Sequence, residues 1–136
     1  MFLLAVPGAG LMAGSAVIHL HLWAGSYGAI PTIGPLFLLQ GVAGLVCALA
    51  LILFRRVIVM VVGGVLMVST AGGLLASHFF GLFGYRENLA VPYAGMSLVL
   101  ELTGAAILLG DALLCRRWRA RRPEGGEVRS EQSPVS

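Results

Sequence analysis

The sequence has no lysine and only 11% charged residues, and it has no Asp, Glu, Lys or Arg between residues 1 and 54 or between 57 and 85. This excludes an ordinary soluble domain, in which about 25% of residues are charged. Apolar residues make up 58% of the 136 positions, with a mean hydropathy of +0.93, so the chain reads as an integral membrane protein whose main partner is the lipid bilayer. Cysteine is equally scarce. Cys47 and Cys115 cannot make a disulfide framework and offer no zinc spacing; both read as reduced packing residues. All the positive side chains are arginines, and seven of the nine lie in the runs at 55–56 and 116–122. Runs that abut apolar segments are topology signals, so no nucleic-acid partner is expected. The chain has no Walker loop, H-E-x-x-H motif or nucleophile triad, so no catalytic or metal-binding residue is assigned.

What remains is four apolar segments, each near the roughly 20 residues that cross a bilayer as a helix. The expected spans are 3–24, 35–54, 57–80 and 93–115, an all-α four-helix transmembrane bundle occupying residues 1–118, with a disordered tail over 119–136. The first segment reads as a span rather than a signal peptide, because no basic residue precedes it and it ends in Trp23. Gly10 and Gly14 form a G-x-x-x-G pair, and Gly63, Gly64, Gly72 and Gly73 mark the third span for close packing. Residues 25–34 carry Gly, Ser and Pro31 and read as a loop, with Pro35 in the first turn of the second span. Arg55-Arg56 is a tight turn into the third span. By parity both arginine runs lie on one side, which the positive-inside rule makes cytoplasmic. Both termini are then cytoplasmic, the loops at 25–34 and 81–92 face outward, and Trp23, Tyr27, Tyr85 and Tyr93 form an outer aromatic belt. Arginine in place of lysine, with abundant Gly, Ala and Val, points to a high-G+C bacterial genome and hence to a bacterial plasma membrane.

The two halves also align as versions of one hairpin. His19/His21, Tyr27, Pro31, Gln40 and Arg55-Arg56 in the first half match His78, Tyr85, Pro92, Glu101 and Arg116-Arg117 in the second. Gln40 and Glu101 each stand fifteen residues before their arginine pair, about 22 Å along a helix, and so share a depth in the outer half of the bilayer.

The fourth segment alone carries acids inside a span, Glu101 and Asp111, and an intramembrane acid is a functional hypothesis by default. Ser97, Glu101, Gly104, Leu108 and Asp111 fall on one helical stripe. Matching depths across helices gives a candidate polar cluster of Ser15, His19, Gln40, Thr70 and Glu101, with His21 and His78 at the outer interface. Asp111 is expected to snorkel to Arg116 or Arg117. Three functional readings stay open. In the first, the cluster only knits the bundle together, and the chain is an interaction or accessory subunit of a larger membrane complex or a homo-oligomer, without catalysis or cofactor. In the second, Glu101 serves a small carrier or a proton- or cation-linked binding protein. The third is a haem held by His21 and His78, and an enzyme is disfavoured.

The run HLHLWAGSYGAIPTIGPLFLLQ, the later GLFGYRENLAVPYAG and the Glu101 that follows resemble a group of small four-span membrane proteins of high-G+C bacteria over most of residues 15–105. The resemblance implies a fold and a location but brings no activity and no functional residue.

Overall fold

The computed structural model describes residues 4–84, 86–90 and 92–121. Expectations on Tyr85, Arg122 and the tail after it lie outside these residues. The chain forms an all-α bundle of four helices, α1 (Ala5–Gly25), α2 (Ile33–Phe54), α3 (Val57–Phe80) and α4 (Pro92–Ala120). All four are long and apolar enough to cross a membrane. The spans differ from the sequence expectation mainly at α4, which runs five residues past Cys115 into the arginine run, so that Arg119 and Ala120, expected in the disordered tail, are helical. A single turn of 3-10 helix, Tyr27–Ala29, interrupts the first loop.

Lipid tails are as apolar as the side chains, so helices in a membrane associate through close packing and interhelical hydrogen bonds, which favours small residues at the contacts. The buried face of α1 is Ala5, Gly8, Ala9, Met12, Ser15, Ala16 and His19, a three-four spacing that faces its neighbours along one stripe. Large side chains such as Leu39, Leu53, Val99 and Leu114 point out of the bundle instead. The helices pack as two hairpins, α1 with α2 and α3 with α4, joined mainly along an α1–α4 seam. That seam is antiparallel: Leu4 meets Asp111, Gly8 meets Leu108, and Ser15 meets Glu101. The α2–α3 seam is much looser, although Arg55 and Arg56 are the only residues between the two helices. Arg55 adopts the left-handed conformation, φ 46°, which reverses the chain in so short a turn at some strain for a side-chain-bearing residue. The two hairpins are therefore alike in topology, and the two seams that join them, α1–α4 and α2–α3, are unlike.

The glycines divide along the same line. At Gly41 and Gly44 an added Cβ would meet Leu20 and Ala16 of α1 at 2.5 and 2.9 Å. Gly64 sits against Leu109, and Gly63 against Met12. Gly72 and Gly73, in contrast, have nothing within 4 Å of that position, and neither does Gly10. The close packing expected along the whole of α3 is thus confined to its arginine-end half. In the first loop, a Cβ on Gly34 would lie 2.5 Å from the Gly28 carbonyl oxygen and 2.9 Å from that of Tyr27.

These contacts set a contrast between two substitutions. Gly34→Ala collides with backbone that has no side chain to move aside, and should cost about 1–3 kcal/mol, read as a lowered melting temperature in detergent. Gly72→Ala meets open space and replaces the poorer helix former, so its melting temperature should be unchanged or raised.

Candidate functional site

Glu101 lies in the middle of α4 with 0% of its surface exposed. Its Oε1 accepts hydrogen bonds from Ser97 Oγ, one turn earlier on α4, at 2.7 Å, and from Ser15 Oγ of α1 at 3.0 Å. Both serines are buried. His19, one turn beyond Ser15, brings Nε2 to 3.7 Å from the same oxygen. The other ring nitrogen, Nδ1, is 2.9 Å from the Ser15 carbonyl oxygen. A carbonyl only accepts, so Nδ1 carries a hydrogen and donates it, and a neutral ring must then present Nε2 as a bare acceptor. One proton can serve the pair in two places. On Glu101 it leaves both groups neutral, and on His19 it makes an ion pair. The second carboxyl oxygen, Oε2, is buried and has no hydrogen-bond partner among the described residues.

His19 also forms part of the wall of a cavity of about 290 Å³ between α2 and α3, at the end of the bundle that carries the loops. Ile33, Leu36, Phe37, Leu66 and Leu74 make its apolar walls, and Gln40, Thr70, Ser77 and Glu87 contribute polar groups. The open space beside Gly73, also a lining residue, belongs to this cavity. A ring ladder runs along one side: the His19 and Phe37 centroids are 5.0 Å apart, and Phe37 stacks on Tyr27 at 4.8 Å. Tyr27 then donates its hydroxyl hydrogen to Glu87 Oε1 at 3.1 Å. The Glu87 backbone is tied to the end of α3, its N–H donating to Ser77 Oγ at 3.2 Å and its carbonyl accepting from His78 Nδ1 at 3.0 Å. Glu87 thereby joins the two loops.

Of the residues expected to cluster, the structure brings Ser15, His19 and Glu101 into one hydrogen-bonded group. Gln40 and Thr70 stand with His19 on the cavity rather than against Glu101. Thr70 Oγ1 donates to the Leu66 carbonyl at 2.8 Å, and Gln40 has no hydrogen bond among the described residues. Ser97 completes the group; its place on the Glu101 stripe was the signal for it. His21 is exposed with its ring 5.5 Å from Tyr93, whereas His78 is bound to the Glu87 carbonyl. Among the described residues no group of three or more His, Cys, Asp or Glu side chains is arranged to hold a metal ion. Trp23 and Tyr93 are exposed at the loop end, but Tyr27, expected in the same aromatic belt, turns inward.

Asp111 departs from expectation. It is buried, no arginine is within ion-pair distance among the described residues, and its Oδ2 accepts the Leu4 backbone N–H at 3.3 Å. The reason is angular: at 100° per residue Arg116 and Arg117 point well away from the Asp111 face, while the first turn of α1 has N–H groups with no intrahelical acceptor and no side-chain cap of its own. Asp111 caps α1 from across the seam. Cys47 packs against the core and Cys115 is buried, neither in a disulfide.

In comparisons with known proteins the chain matches no family model, no curated protein and no solved structure.

The interhelical cap generates a local test. Asp111→Ala should speed amide hydrogen exchange over the first turn of α1 and cost about 1 kcal/mol, the usual loss when a helix cap is removed. Exchange at the far end of α1 should not change.

Proposed function

We propose that the chain is a small multi-pass protein of the bacterial plasma membrane that binds a small ligand in the α2–α3 cavity together with a proton on the His19–Glu101 pair, acting as a proton-linked binding protein or carrier. One observation carries this reading. Glu101 is fully buried with one carboxyl oxygen unsatisfied, and His19, the residue that faces it, is also a wall of the cavity. A carboxyl that served only to knit helices together would be expected to have both oxygens satisfied, since a buried acceptor left bare costs about 1–3 kcal/mol. A polar ligand group that reaches the His19 ring alters which of the two proton positions is favoured. Ligand occupancy and proton occupancy are then linked, and each changes the affinity for the other by the same factor.

The orientation proposed with it puts the cavity end outward and both termini in the cytoplasm. Its support is that Arg55, Arg56, Arg116, Arg117, Arg119 and Arg121 all fall at the opposite end of the bundle from the loops. Ser26 and Asn88, one in each loop, are exposed. With Cys47 and Cys115 replaced by Ala, Ser26→Cys or Asn88→Cys should react with an impermeant thiol reagent applied to intact cells. Reaction only after the cytoplasmic side is opened would reverse the orientation.

For the site itself the informative change is Glu101→Gln. The amide matches a protonated carboxyl in size and still accepts from Ser15 and Ser97, but it cannot exchange a proton in this range. The variant should keep its melting temperature within a few degrees and lose the ability to rescue the phenotype of a deletion strain. Full rescue by an equally stable variant would leave Glu101 a structural acid and the chain an interaction or accessory subunit.

A further inference from the structure

We infer that the α2–α3 cavity is a site for a primary ammonium carried on a small apolar body, which enters between the two helices from the apolar flank and sets its charge against Glu87. The inference rests on the proposed function only in taking this cavity as the binding site.

The sign of the charge comes from Glu87. Glu87 lines the cavity and is only 8% exposed. Both of its side-chain hydrogen bonds, from Tyr27 Oη at 3.1 Å and the Asn88 N–H at 3.3 Å, fall on Oε1. Oε2 has no partner among the described residues, and it is not fully enclosed, as Glu101 Oε2 is. Among the described residues no arginine lines the cavity. The neighbouring Arg86 turns away and donates to the Phe79 carbonyl at 3.0 Å. An unneutralised carboxylate in low-dielectric surroundings attracts a cation and repels an anion far more strongly than it would in water.

The type of cation comes from the remaining polar atoms. Thr70 spends its hydroxyl hydrogen on the Leu66 carbonyl, so it offers the cavity lone pairs alone. Gln40 brings an unengaged amide oxygen. With Glu87 Oε2 at the loop end and these acceptors deeper in the wall, the cavity suits a cation that carries N–H donors, as a primary ammonium does. A quaternary ammonium would satisfy none of them by hydrogen bonding. The rest of the lining is the hydroxyls of Ser69 and Ser77, the rings of His19 and Phe37, and otherwise aliphatic side chains and Gly73, which suits a mainly apolar body with one flat face.

The route comes from exposure. Leu36 and Leu39 both line the cavity, and they are 45% and 64% exposed on the outer side of α2. The mouth therefore opens on the apolar flank, while Leu82 and Glu87 stand at the loop end. A volume of about 290 Å³ is at the bottom of the range for small-molecule sites, roughly 300–1,000 Å³, enough for one ring and a short chain. The same ammonium occurs on free aralkyl amines and on the ethanolamine headgroup of a membrane lipid.

The test uses the full-length protein in phosphatidylcholine nanodiscs at neutral pH, titrated calorimetrically with 2-phenylethylamine, its neutral analogue 2-phenylethanol and the anion phenylacetate. The amine should bind about tenfold or more tightly than either of the others, as a charge-assisted hydrogen bond requires. Glu87→Gln, which still accepts from Tyr27, should bring the amine down to the affinity of the alcohol. Gln40→Leu lies outside the loop latch, so it tests the same selectivity if Glu87→Gln proves unstable. It should weaken the amine more than the alcohol. Gly73→Leu fills the cavity from a position with open space in front of it, and should weaken every probe that binds. If amine and alcohol bind equally and Gly73→Leu blocks both, the ammonium assignment is overturned while the cavity remains a binding site. If no probe binds, or if Gly73→Leu changes nothing, the cavity fails as a site and the proposed function fails with it. Adding phosphatidylethanolamine to the discs separates the two sources. A tenfold loss of apparent amine affinity identifies the lipid headgroup as occupant, and unchanged affinity identifies the free amine.

Discussion

The bundle depends on where one carboxyl group can find donors away from water. Glu101 finds them at Ser97 on its own helix and at Ser15 on α1, and this choice fixes the register of α1 against α4. Ten residues further along α4, about 15 Å, stands Asp111. Eleven residues back along α1, about 16 Å, is the Leu4 N–H that Asp111 accepts. The near equality of the two lengths lets one register satisfy both acids. A slip of one residue would swing each side chain by 100° and leave both without donors.

The two hairpins use their small residues differently. In α2, Gly41 and Gly44 admit side chains of α1, and the hairpin closes along its length. In α3 only Gly63 and Gly64 are used in this way, while Gly72 and Gly73 face open space. The cavity is the result of that difference. Gln40 and Glu101, which stand in equivalent places in the sequence, have opposite surroundings: Glu101 is sealed within the α1–α4 seam, and Gln40 faces the open α2–α3 seam. A two-residue turn brings α2 and α3 together at the arginine end but leaves them apart beside Gly73.

The helices were legible in the sequence because a span is a one-dimensional property, an uninterrupted apolar run between charges. The core of the site was nearly as legible. An acid inside a span needs donors, Ser15 and His19 are a turn apart at a matching depth, and Ser97 lies on the same stripe. Helix azimuth was the missing quantity. Depth alone placed Gln40 and Thr70 beside Glu101, yet their faces meet the cavity, and depth alone sent Asp111 toward arginines that point elsewhere. Glu87 left no local trace. Its burial comes from two loops meeting, through Tyr27 from one and Ser77 and His78 at the base of the other, and no periodicity in either loop encodes that meeting. Tyr27 looked like an interfacial aromatic for the same reason, since nothing near it in the chain indicates a partner sixty residues away.

The short turn at Arg55 and Arg56 also has a mechanical side. It joins two helices of 22 and 24 residues, each about 33 to 36 Å long, whose far ends are linked by side chains rather than by chain. The pair has the proportions of tongs pivoted at one end. At a lever arm of about 33 Å, a rotation of about 2° at the pivot moves the free ends by about 1 Å, enough to break a hydrogen bond of 3.1 Å. The bond between Tyr27 and Glu87 lies at that free end, where a change at the pivot too small to alter either helix is felt most.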